Sequence, residues 1–540
     1  MTPGTDIDTT GADAPPVVET PWRRLDKRML VVSPIAGLVR LLPVVLILLV
    51  TGRQGTPMQV WFPLGIGVLV VIGGAIRWRT TRYRVTPDRV ELHTGWLRRQ
   101  RRSVPRDRIR TVDLTAKLLH RIFGLSVVHV GAASGSPMES AGLQLDAVSK
   151  TEADRLRREL LDRSPAAAGP GSVEHAPVTP PRPPATELAR LNWSWLRFAP
   201  LTFSAIAGIG AMGAAVFNLI GELGVDPRDI PAVDDAADRL TSTPIWATIA
   251  VLAAFLLVVA VVGAMVLFAE RWYGYRLTRE AGDPAVAATP SAGIGTGTLR
   301  VRRGLLTRRS LSVSEQRLRG VEVVEPLLLR AGRGAYSKAL STGLTRSAQG
   351  GALQPPCPRP EAHRVASAAL REQAQEITLA PLRKHPPAAL QRRMTRALVP
   401  TGVLVAGLFV AGSAVQFLTE LAVPSLLLLP LAALVALDRF RNLGHELTAR
   451  YLVSRQGSIQ RRTVALQRAG VIGWTFRQSI FQRRSGLVTV EAITAAGAGG
   501  YQVLDVAAAD GVALADASVP HLLTPFLATA APEDPQLGTR

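Results

Sequence analysis

Residues 397–437 read ALVPTGVLVAGLFVAGSAVQFLTELAVPSLLLLPLAALVAL and contain one charged side chain, Glu420, near their middle. A helix needs roughly 20 mostly apolar residues to cross the hydrocarbon core of a bilayer. This stretch is long enough for two crossings, and its one acidic residue lies where a turn between them would fall. The sequence therefore predicts a transmembrane hairpin with spans at Ala397–Phe417 and Leu421–Leu437.

Two earlier regions of the 540-residue chain, which is 47% hydrophobic, have the same design. The first pair of apolar segments is Ile35–Thr51 and Met58–Ile76, and the second is Phe198–Ile220 and Pro244–Phe268. Arg40 interrupts the first segment near its start, where a long basic side chain can reach the interface. The sequence predicts six transmembrane helices, arranged as three hairpins.

The charges beside these segments predict their orientation. Arginine and lysine cluster before and after each hairpin, whereas the loop 221–243 carries six acidic against two basic residues, and residues 52–57 carry only Arg53. Basic residues favour the cytoplasmic side of short loops. We therefore expect both termini and all long segments between the hairpins to be cytoplasmic. The net charge of +22 then serves mainly to set topology, and the scarcity of aromatic residues, at 5%, disfavours nucleic acid as a partner.

A β-rich segment follows each hairpin, and the three segments resemble one another. The first begins YRVTPDRVELHTGWL at residues 83–97, the second begins YRLT at 275–278, and the third begins RYLVS at 450–454. The spacing from Gly95 to Ile109 equals that from Gly304 to Leu318. Such self-similarity predicts a repeated structural unit.

Within a unit, short runs of alternating apolar residues between turn signals predict strands. A closing helix is predicted at Thr151–Leu161, with a cap at Thr151 and Asp154, and its equivalents at 361–377 and 507–517. The tyrosines that open the units are expected to anchor the sheets, with their hydroxyls satisfied locally. Trp78 and Trp272, just outside two spans, are expected to lie in an interfacial belt.

The series Y-x-V-T, G-x-L, P-x-x-x-I and R-x-x-G-L resembles the bacterial pleckstrin-homology-like (PH-like, bPH2) domain of multi-pass membrane proteins. Three units in series, each after two spans, look like the larger YdbT-type member of that family. The resemblance implies membrane helical hairpins alternating with three α+β PH-like domains, each a seven-stranded bent antiparallel sheet capped by a C-terminal helix. It implies a location in the bacterial cell membrane.

These observations predict a domain order along the chain. The predicted segments are a tail (1–33), hairpin 1 (34–76), domain 1 (77–162), a Pro/Ala-rich linker (163–192), hairpin 2 (193–270), domain 2 (271–378), a linker (379–396), hairpin 3 (397–438), domain 3 (439–525) and a tail (526–540).

Signatures of catalysis, cofactor binding and metal binding are missing from the sequence. The eight histidines do not form H-E-x-x-H, and the single cysteine, Cys357, excludes a Cys-based zinc site. The match to G-x-G-x-x-G at Gly208–Gly213 lies inside a predicted span, where small residues favour close helix packing. We predict that the chain is not an enzyme and holds no cofactor.

Arginines crowd the same hairpin in each unit, and two interpretations of them stay open. They contact anionic lipid headgroups, or they are charged strand edges that prevent unwanted pairing. The candidate lipid contacts are Arg98, Arg99, Arg101, Arg102, Arg302, Arg303, Arg308, Arg309, Arg461 and Arg462.

The function predicted from all of this is a non-enzymatic membrane scaffold whose cytoplasmic domains bind protein partners, an anionic membrane surface or each other. The alternative is a component of a lipid or peptide export complex, although the scarcity of ionisable residues in the spans argues against transport. The family resemblance implies a companion membrane protein with a single PH-like domain, and a role in envelope stress or in resistance to membrane-active peptides.

Overall fold

The structure of the chain is a computed structural model that describes residues 21–37, 58–96, 99–106, 109–132, 143–161, 185–202, 244–281, 295, 297–342, 344, 351–372, 376–413 and 415–527. Most of the predicted spans Ile35–Thr51 and Phe198–Ile220 lies outside these residues. The loop 221–243, the Gly208–Gly213 motif, and most of the Pro/Ala-rich linker and of the two tails lie outside them too.

The first unit contains seven strands, an apolar helix, a short helix and a closing helix. Its elements are β1 (Arg23–Arg24), α1 (Met58–Thr80), β2 (Arg82–Val85), β3 (Arg89–Thr94), β4 (Gln100–Pro105), β5 (Ile109–Ala116), α2 (Leu118–Ile122), β6 (Leu125–Ala132), β7 (Leu143–Ser149) and α3 (Lys150–Leu161). Helix α3 confirms the predicted closing helix, but its start differs, because the Ser149 hydroxyl accepts the hydrogen bond from the Glu152 amide.

The second unit repeats this order. Its elements are β8 (Thr186–Arg190), α4 (Ile245–Trp272), β9 (Arg276–Glu280), β10 (Thr298–Arg303), β11 (Arg308–Ser314), β12 (Leu318–Pro326), α5 (Leu327–Ala331), β13 (Gly334–Ser341), β14 (Cys357–Pro358) and α6 (Arg359–Ala369). Arg333 has a φ of 58° at the position where the first unit has Gly124 and the third has Gly486. The left-handed turn is thus kept without glycine, which is why the motif is hard to see in this unit.

The third unit begins with two apolar helical segments. Its elements are α7 (Pro387–Gly412), α8 (Gln416–Ser425), α9 (Leu428–Arg441), β15 (Gly444–Leu447), β16 (Tyr451–Gln456), β17 (Gln460–Gln467), β18 (Val471–Arg477), α10 (Ile480–Arg484), β19 (Leu487–Thr494), β20 (Gly500–Ala507) and α11 (Ala508–Ser518). The first apolar segment is α7, and the second consists of α8 and α9. Helix α7 begins ten residues before the predicted span, inside the predicted linker 379–396.

The sheets run across the unit boundaries, unlike the self-contained sheets implied by the resemblance. Strands β1 to β4 form one sheet, and β18 to β20 form another. Between them, a sheet in the order β7-β6-β5-β11-β10-β9-β8 joins the first two units, and one in the order β14-β13-β12-β17-β16-β15 joins the second and third. Each unit therefore supplies half of a sheet to its neighbour.

The strands before the first two hairpins were not predicted. Strand β1 lies in the predicted N-terminal tail and β8 in the predicted Pro/Ala-rich linker, yet both pair with the first strand after their hairpin. A two-residue and a five-residue strand carry too little periodicity to be recognised alone. Their place is set by backbone hydrogen bonds to a neighbouring edge.

Buried side chains follow the shared sheets. One core cluster contains Leu277 and Val323 of the second unit together with Tyr451 and Ala465 of the third. A separate cluster fills the first unit. The second and third units therefore share a hydrophobic core as well as a sheet.

Within the described ranges, three helical segments are long and apolar enough to cross a membrane: Ala253–Trp272, Pro387–Gly412 and Gln416–Arg441. Their outer surfaces are apolar, with Val258 60%, Val403 68% and Leu434 63% exposed. Exposed apolar surface of this extent is unfavourable in water and is matched by lipid. Helix α1 contains the predicted span Met58–Ile76.

Candidate membrane-contact surface

Each unit has a tight hairpin turn in which a glycine adopts a positive φ. The glycines are Gly95, Gly304 and Gly457, with φ values of 102°, 108° and 98°. A Cβ atom at Gly304 or Gly457 would lie 2.0 or 2.1 Å from a carbonyl oxygen of its own turn. Glycine is therefore required at these two turns.

The residues after these glycines point apolar side chains into solvent. Trp96 is 68% exposed, Leu306 48% and Ile459 59%. In the second unit Leu305 is exposed as well. An exposed apolar residue one or two positions after the glycine of three repeated turns indicates a shared contact surface.

Hydrogen bonds join two of these turns to the ends of the apolar helices. The amide of Leu305 donates to the Glu270 carbonyl at 2.8 Å, and the amide of Gly304 donates to the Tyr273 carbonyl at 2.9 Å. In the third unit, the Ser458 hydroxyl donates to the Asp438 carboxylate of α9 at 2.6 Å. These two turns therefore lie at the C-terminal ends of the apolar helices α4 and α9.

Short helices from the preceding unit lie beside the turns. The amide of Leu327 in α5 donates to the Ile459 carbonyl at 2.7 Å, and the Arg121 guanidinium of α2 donates to the Leu305 carbonyl. Both helices expose apolar side chains, Leu118 and Ile122 in α2 and Leu327 in α5, and the equivalent helix of the third unit, α10, exposes Ile480 and Phe481. We call the three turns and the helices α2, α5 and α10 together the membrane-proximal edge.

The ten arginines predicted to contact lipid differ in their exposure and in their contacts. Arg99, Arg101, Arg102, Arg302, Arg308 and Arg309 are exposed. Arg462 is half exposed and lies 3.6 Å from the Glu322 carboxylate. Arg98 lies outside the described residues. Arg303 and Arg461 are engaged inside the protein.

Arg303 lies over the ring of Trp272, 4.2 Å from its centroid. Burial lowers the pKa of its guanidinium to about 10, and the charges of Arg309 and Arg271 act in the same direction. An arginine remains charged at neutral pH, so the stacked pair is a buried cation–π contact. The contact between Arg303 and Trp272 packs the end of α4 against the sheet.

Trp272 is itself only 6% exposed and packs edge-on against Tyr275, with ring centroids 5.5 Å apart. The predicted interfacial position of this tryptophan is therefore wrong. Trp78, partly buried, donates its indole N–H to the Leu25 carbonyl at 3.0 Å. Each ring packs where its apolar helix meets the rest of its unit.

Tyr83, Tyr275 and Tyr451 are buried as predicted, at 3%, 1% and 1% exposure, but only the first two open the β-rich segments after their hairpins. The third such segment opens with β15, and Tyr451 lies in its second strand, β16, so the prediction that a tyrosine opens all three units is wrong. The Tyr275 hydroxyl donates to the Leu353 carbonyl at 2.7 Å. Among the described residues, however, the Tyr451 hydroxyl has no hydrogen-bond partner. The predicted local satisfaction of the hydroxyl therefore fails in the third unit.

Arg461 belongs to a buried ion cluster around Glu325, which is 2% exposed. Its guanidinium pairs with the Glu325 carboxylate, and Arg359 lies 3.1 Å and His363 3.6 Å from the same group. Burial alone would raise the pKa of Glu325, but these neighbours outweigh it and lower that pKa. Because β12 and β17 come from different units, the cluster fixes the joint between them.

A second buried cluster was not predicted from the sequence. Asp505 of β20 is 1% exposed and accepts from Arg392 and Arg393 of α7, the latter at 2.9 Å, and from the Gln482 amide at 2.9 Å. More than 110 residues separate the carboxylate from its arginines. No local pattern signals such a contact.

His385 and His445 form a buried pair beside this cluster, with Nε2 of the first 3.2 Å from Nδ1 of the second. Nδ1 of His385 lies 3.2 Å from the Asp505 carbonyl. Since a carbonyl only accepts, Nδ1 of His385 carries a proton, and its Nε2 accepts from His445. In the part of the chain that is described, no group of three or more metal-ligating side chains occurs.

Comparison with known proteins identifies the repeated unit. The model of the bacterial PH domain matches residues 32–164 and 402–522. The transmembrane protein YdbT of Bacillus subtilis is 22% identical over 441 residues, which cover 79% of this chain and 83% of that protein. No solved structure matches the chain.

Proposed function

Because this chain carries bacterial PH domains and is a YdbT-like transmembrane protein, we propose that it is a non-enzymatic membrane scaffold. Its three units lie on the cytoplasmic side, hold the membrane-proximal edge against anionic lipid, and present their strands to partners. The observation that carries this proposal is the repeated turn, which exposes an apolar residue in all three units and lies beside the end of an apolar helix in the second and third.

The pairing of strands around each hairpin supports an even number of crossings. Arg24 pairs with Arg82, Arg190 with Arg276, and Arg383 bridges to His445. The chain therefore leaves and re-enters the same sheet around every hairpin, on one side of the membrane. Six spans in three hairpins satisfy this constraint.

A reporter placed in the segment between β6 and β7 tests the orientation. Alkaline phosphatase inserted within residues 133–142 is expected to be inactive, and green fluorescent protein at the same place is expected to fluoresce, because the positive-inside rule assigns the segment to the cytoplasm. The same reporters within the acidic loop 221–243 are expected to give the opposite result. Active phosphatase at 133–142 would overturn the proposed topology.

Contact between the membrane-proximal edge and lipid is testable in the full chain. We expect a fluorophore on Leu306→Cys, in nanodiscs containing phosphatidylglycerol, to be quenched by nitroxide on lipid headgroups, because Leu306 lies beside the end of α4. Replacing Arg302 and Arg308 with serine is expected to weaken the preference for anionic lipid by about 2 kcal/mol, roughly thirtyfold. Added salt is expected to reduce the wild-type preference.

Two controls separate surface contact from general charge. A label on Arg158→Cys is expected to escape quenching, because α3 contacts the far end of β9 through the Arg157–Glu280 ion pair, at 2.9 Å. Replacing Arg155 and Arg158 with serine removes the same charge from α3 and is expected to change nothing. Equal quenching at residues 306 and 158 would refute the lipid contact.

The partners we propose carry the same kind of unit, including a membrane protein with a single PH-like domain. Strand pairing between units already operates inside this chain and supports this choice. We further propose that the scaffold serves in envelope stress or in resistance to membrane-active peptides, a role that rests on the family resemblance. Loss of protection after deletion of the gene, measured with a panel of such peptides, is the expected result.

A further inference from the structure

Two pairs of strands connect neighbouring units, β5 with β11 and β12 with β17, and we call each pair a joint. Both joints have the same register. By their spacing from Gly95, Gly304 and Gly457, strands β4, β11 and β17 are equivalent, as are β5, β12 and β18. In the first joint the register is Thr111↔Val313, Val112↔Ser312, Asp113↔Leu311, Leu114↔Ser310 and Thr115↔Arg309. In the second it is Gly320↔Leu466, Val321↔Ala465, Glu322↔Val464, Val323↔Thr463 and Val324↔Arg462. Every pair in one joint is equivalent to a pair in the other.

One strand of each kind is left without a joint. Among the described residues, β4 of the first unit and β18 of the third are edge strands of their sheets. Their exposure reflects this: Arg101, Arg102 and Ser103 of β4 are exposed, whereas the equivalent residues of β17 are Thr463, Val464 and Ala465, all buried. Phe476 of β18 is 39% exposed, while its counterpart Val323 is fully buried.

Arginines on the paired strands lie at one end of the ladder. Strand β11 carries Arg308 and Arg309, and β17 carries Arg461 and Arg462, at the positions equivalent to Arg99 and Gln100. Both strands form ladders over these residues, so charge at this end is compatible with pairing. Arg101 and Arg102 of β4 stand instead where β11 has Ser310 and Leu311, so a third joint places two arginines where the internal joints have none, and charge at such positions often guards an edge strand.

We propose that β4 of one copy of this chain pairs with β18 of a second copy, in the register of the two internal joints. This assembly deepens the scaffold proposal and rests on it in one respect, that both copies present their units on the same side of the membrane. Each copy supplies one strand of each kind, so the contact is head-to-tail and can join successive copies in a ring or row.

The register assigns the facing residues of the third joint. The expected pairs are Val104↔Gly473, Ser103↔Trp474, Arg102↔Thr475, Arg101↔Phe476 and Gln100↔Arg477. Arg101 then lies opposite the partly exposed ring of Phe476, with Trp474 diagonally across, an arrangement that favours a cation–π contact. Thr475 takes the place of Asp113 and Glu322, so this joint lacks the acidic residue of the internal ones and is expected to be weaker.

Disulfide trapping in native membranes tests the register. Directly opposite Cβ atoms in an antiparallel pair lie about 4.5–5.5 Å apart, within reach of a disulfide after slight adjustment. We expect Arg102→Cys with Thr475→Cys to give dimers and higher species under mild oxidation, and Gln100→Cys with Arg477→Cys to do the same. Cys357 is fully buried and can remain in place.

Matched controls distinguish the proposed joint from random collision. Ser103→Cys with Thr475→Cys uses the same strands but opposite faces and is expected to give no dimer. Two differently tagged chains, one with Arg102→Cys and one with Thr475→Cys, are expected to cross-link only to each other.

Several outcomes would overturn the proposal: cross-linking within a single chain, dimers from Arg102→Cys alone, equal yields from both faces, or no cross-link from either in-register pair in chains present at wild-type levels. A joint made only with a separate single-domain protein would appear as the last of these. The phosphatase and fluorescent-protein reporters test the topology and do not depend on the cross-linking result. Failure of the third joint is therefore distinguishable from failure of the scaffold topology.

Discussion

Replacing Asp505 with asparagine is expected to destabilise the third unit by about 3–5 kcal/mol, the usual cost of leaving a buried charge without its partner. The carboxylate, 1% exposed, is the shared partner of Arg392 and Arg393, whose side chains are 14% and 9% exposed. Asparagine is one of the residues that tolerate the positive φ of 55° at this position. The substitution therefore removes the charge and leaves the backbone unstrained.

Chemical denaturation of the purified chain in detergent, with hydrogen exchange of β19 and β20, measures this loss. The matched control is Asp516→Asn in α11, a partly exposed carboxylate of the same unit, and a change within about 0.5 kcal/mol is expected. Because Asp505 joins the sheet to α7, exchange is also expected to quicken at the start of that helix. A loss below about 1 kcal/mol in Asp505→Asn would show that the arginines do not depend on this carboxylate.

Acidification is expected to weaken the third unit through the histidine pair. Burial, followed by the charges of His385 and Arg383, lowers the pKa of His445 to about 4, and burial also lowers the pKa of His385. Unfolded histidine titrates near 6.5, so between about pH 6.5 and 4 the unfolded state binds more protons than the folded state. Stability is complete above pH 6.5 and falls as the pH drops, by about 3 kcal/mol for His445.

The free energy of unfolding, measured from pH 7.5 down to pH 4.5, tests this dependence of stability on pH. His445→Asn removes the titrating group and keeps an N–H donor for Nε2 of His385, so its stability is expected to depend much less on pH. His521→Asn changes an exposed histidine of the same unit and is expected to keep the wild-type slope. Parallel slopes for wild type and His445→Asn would contradict the assignment.

Local patterns predicted the closing helices of the first and third units well, whereas the closing helix of the second unit spans Arg359–Ala369 and not the predicted 361–377. The closing helix of the first unit begins one residue before its predicted start, and the equivalent helix of the third lies at Ala508–Ser518 against a predicted 507–517. The apolar run from Ala397 to Leu437 falls in two described helical segments long enough to cross a membrane. The break between them lies at residues 413–415, however, and Glu420, where the turn was predicted, lies inside α8. Hydrophobic periodicity and length are properties of neighbouring residues, so they can be read along the chain.

The individual roles of the arginines could not be predicted in this way. Arg302 and Arg303 are adjacent in the sequence, yet one is exposed and the other lies over Trp272. Arg461 and Arg462 are also adjacent, and only the first is tied into the cluster around Glu325. Successive residues of a strand point to opposite faces, and what each face meets depends on elements distant in the sequence.

By itself, the amino-acid sequence determined the apolar pairs, the strand-rich repeats, the glycine turns and the buried tyrosines, because each depends on the chemistry of a few consecutive residues. Only the tertiary structure decided which edge strand pairs with which, and hence that sheets cross the unit boundaries. Backbone hydrogen bonds of an edge strand are much the same for any sequence, so the choice of partner is made by the folded neighbours. The same holds for the Asp505 cluster and the histidine pair, which exist only where distant segments meet.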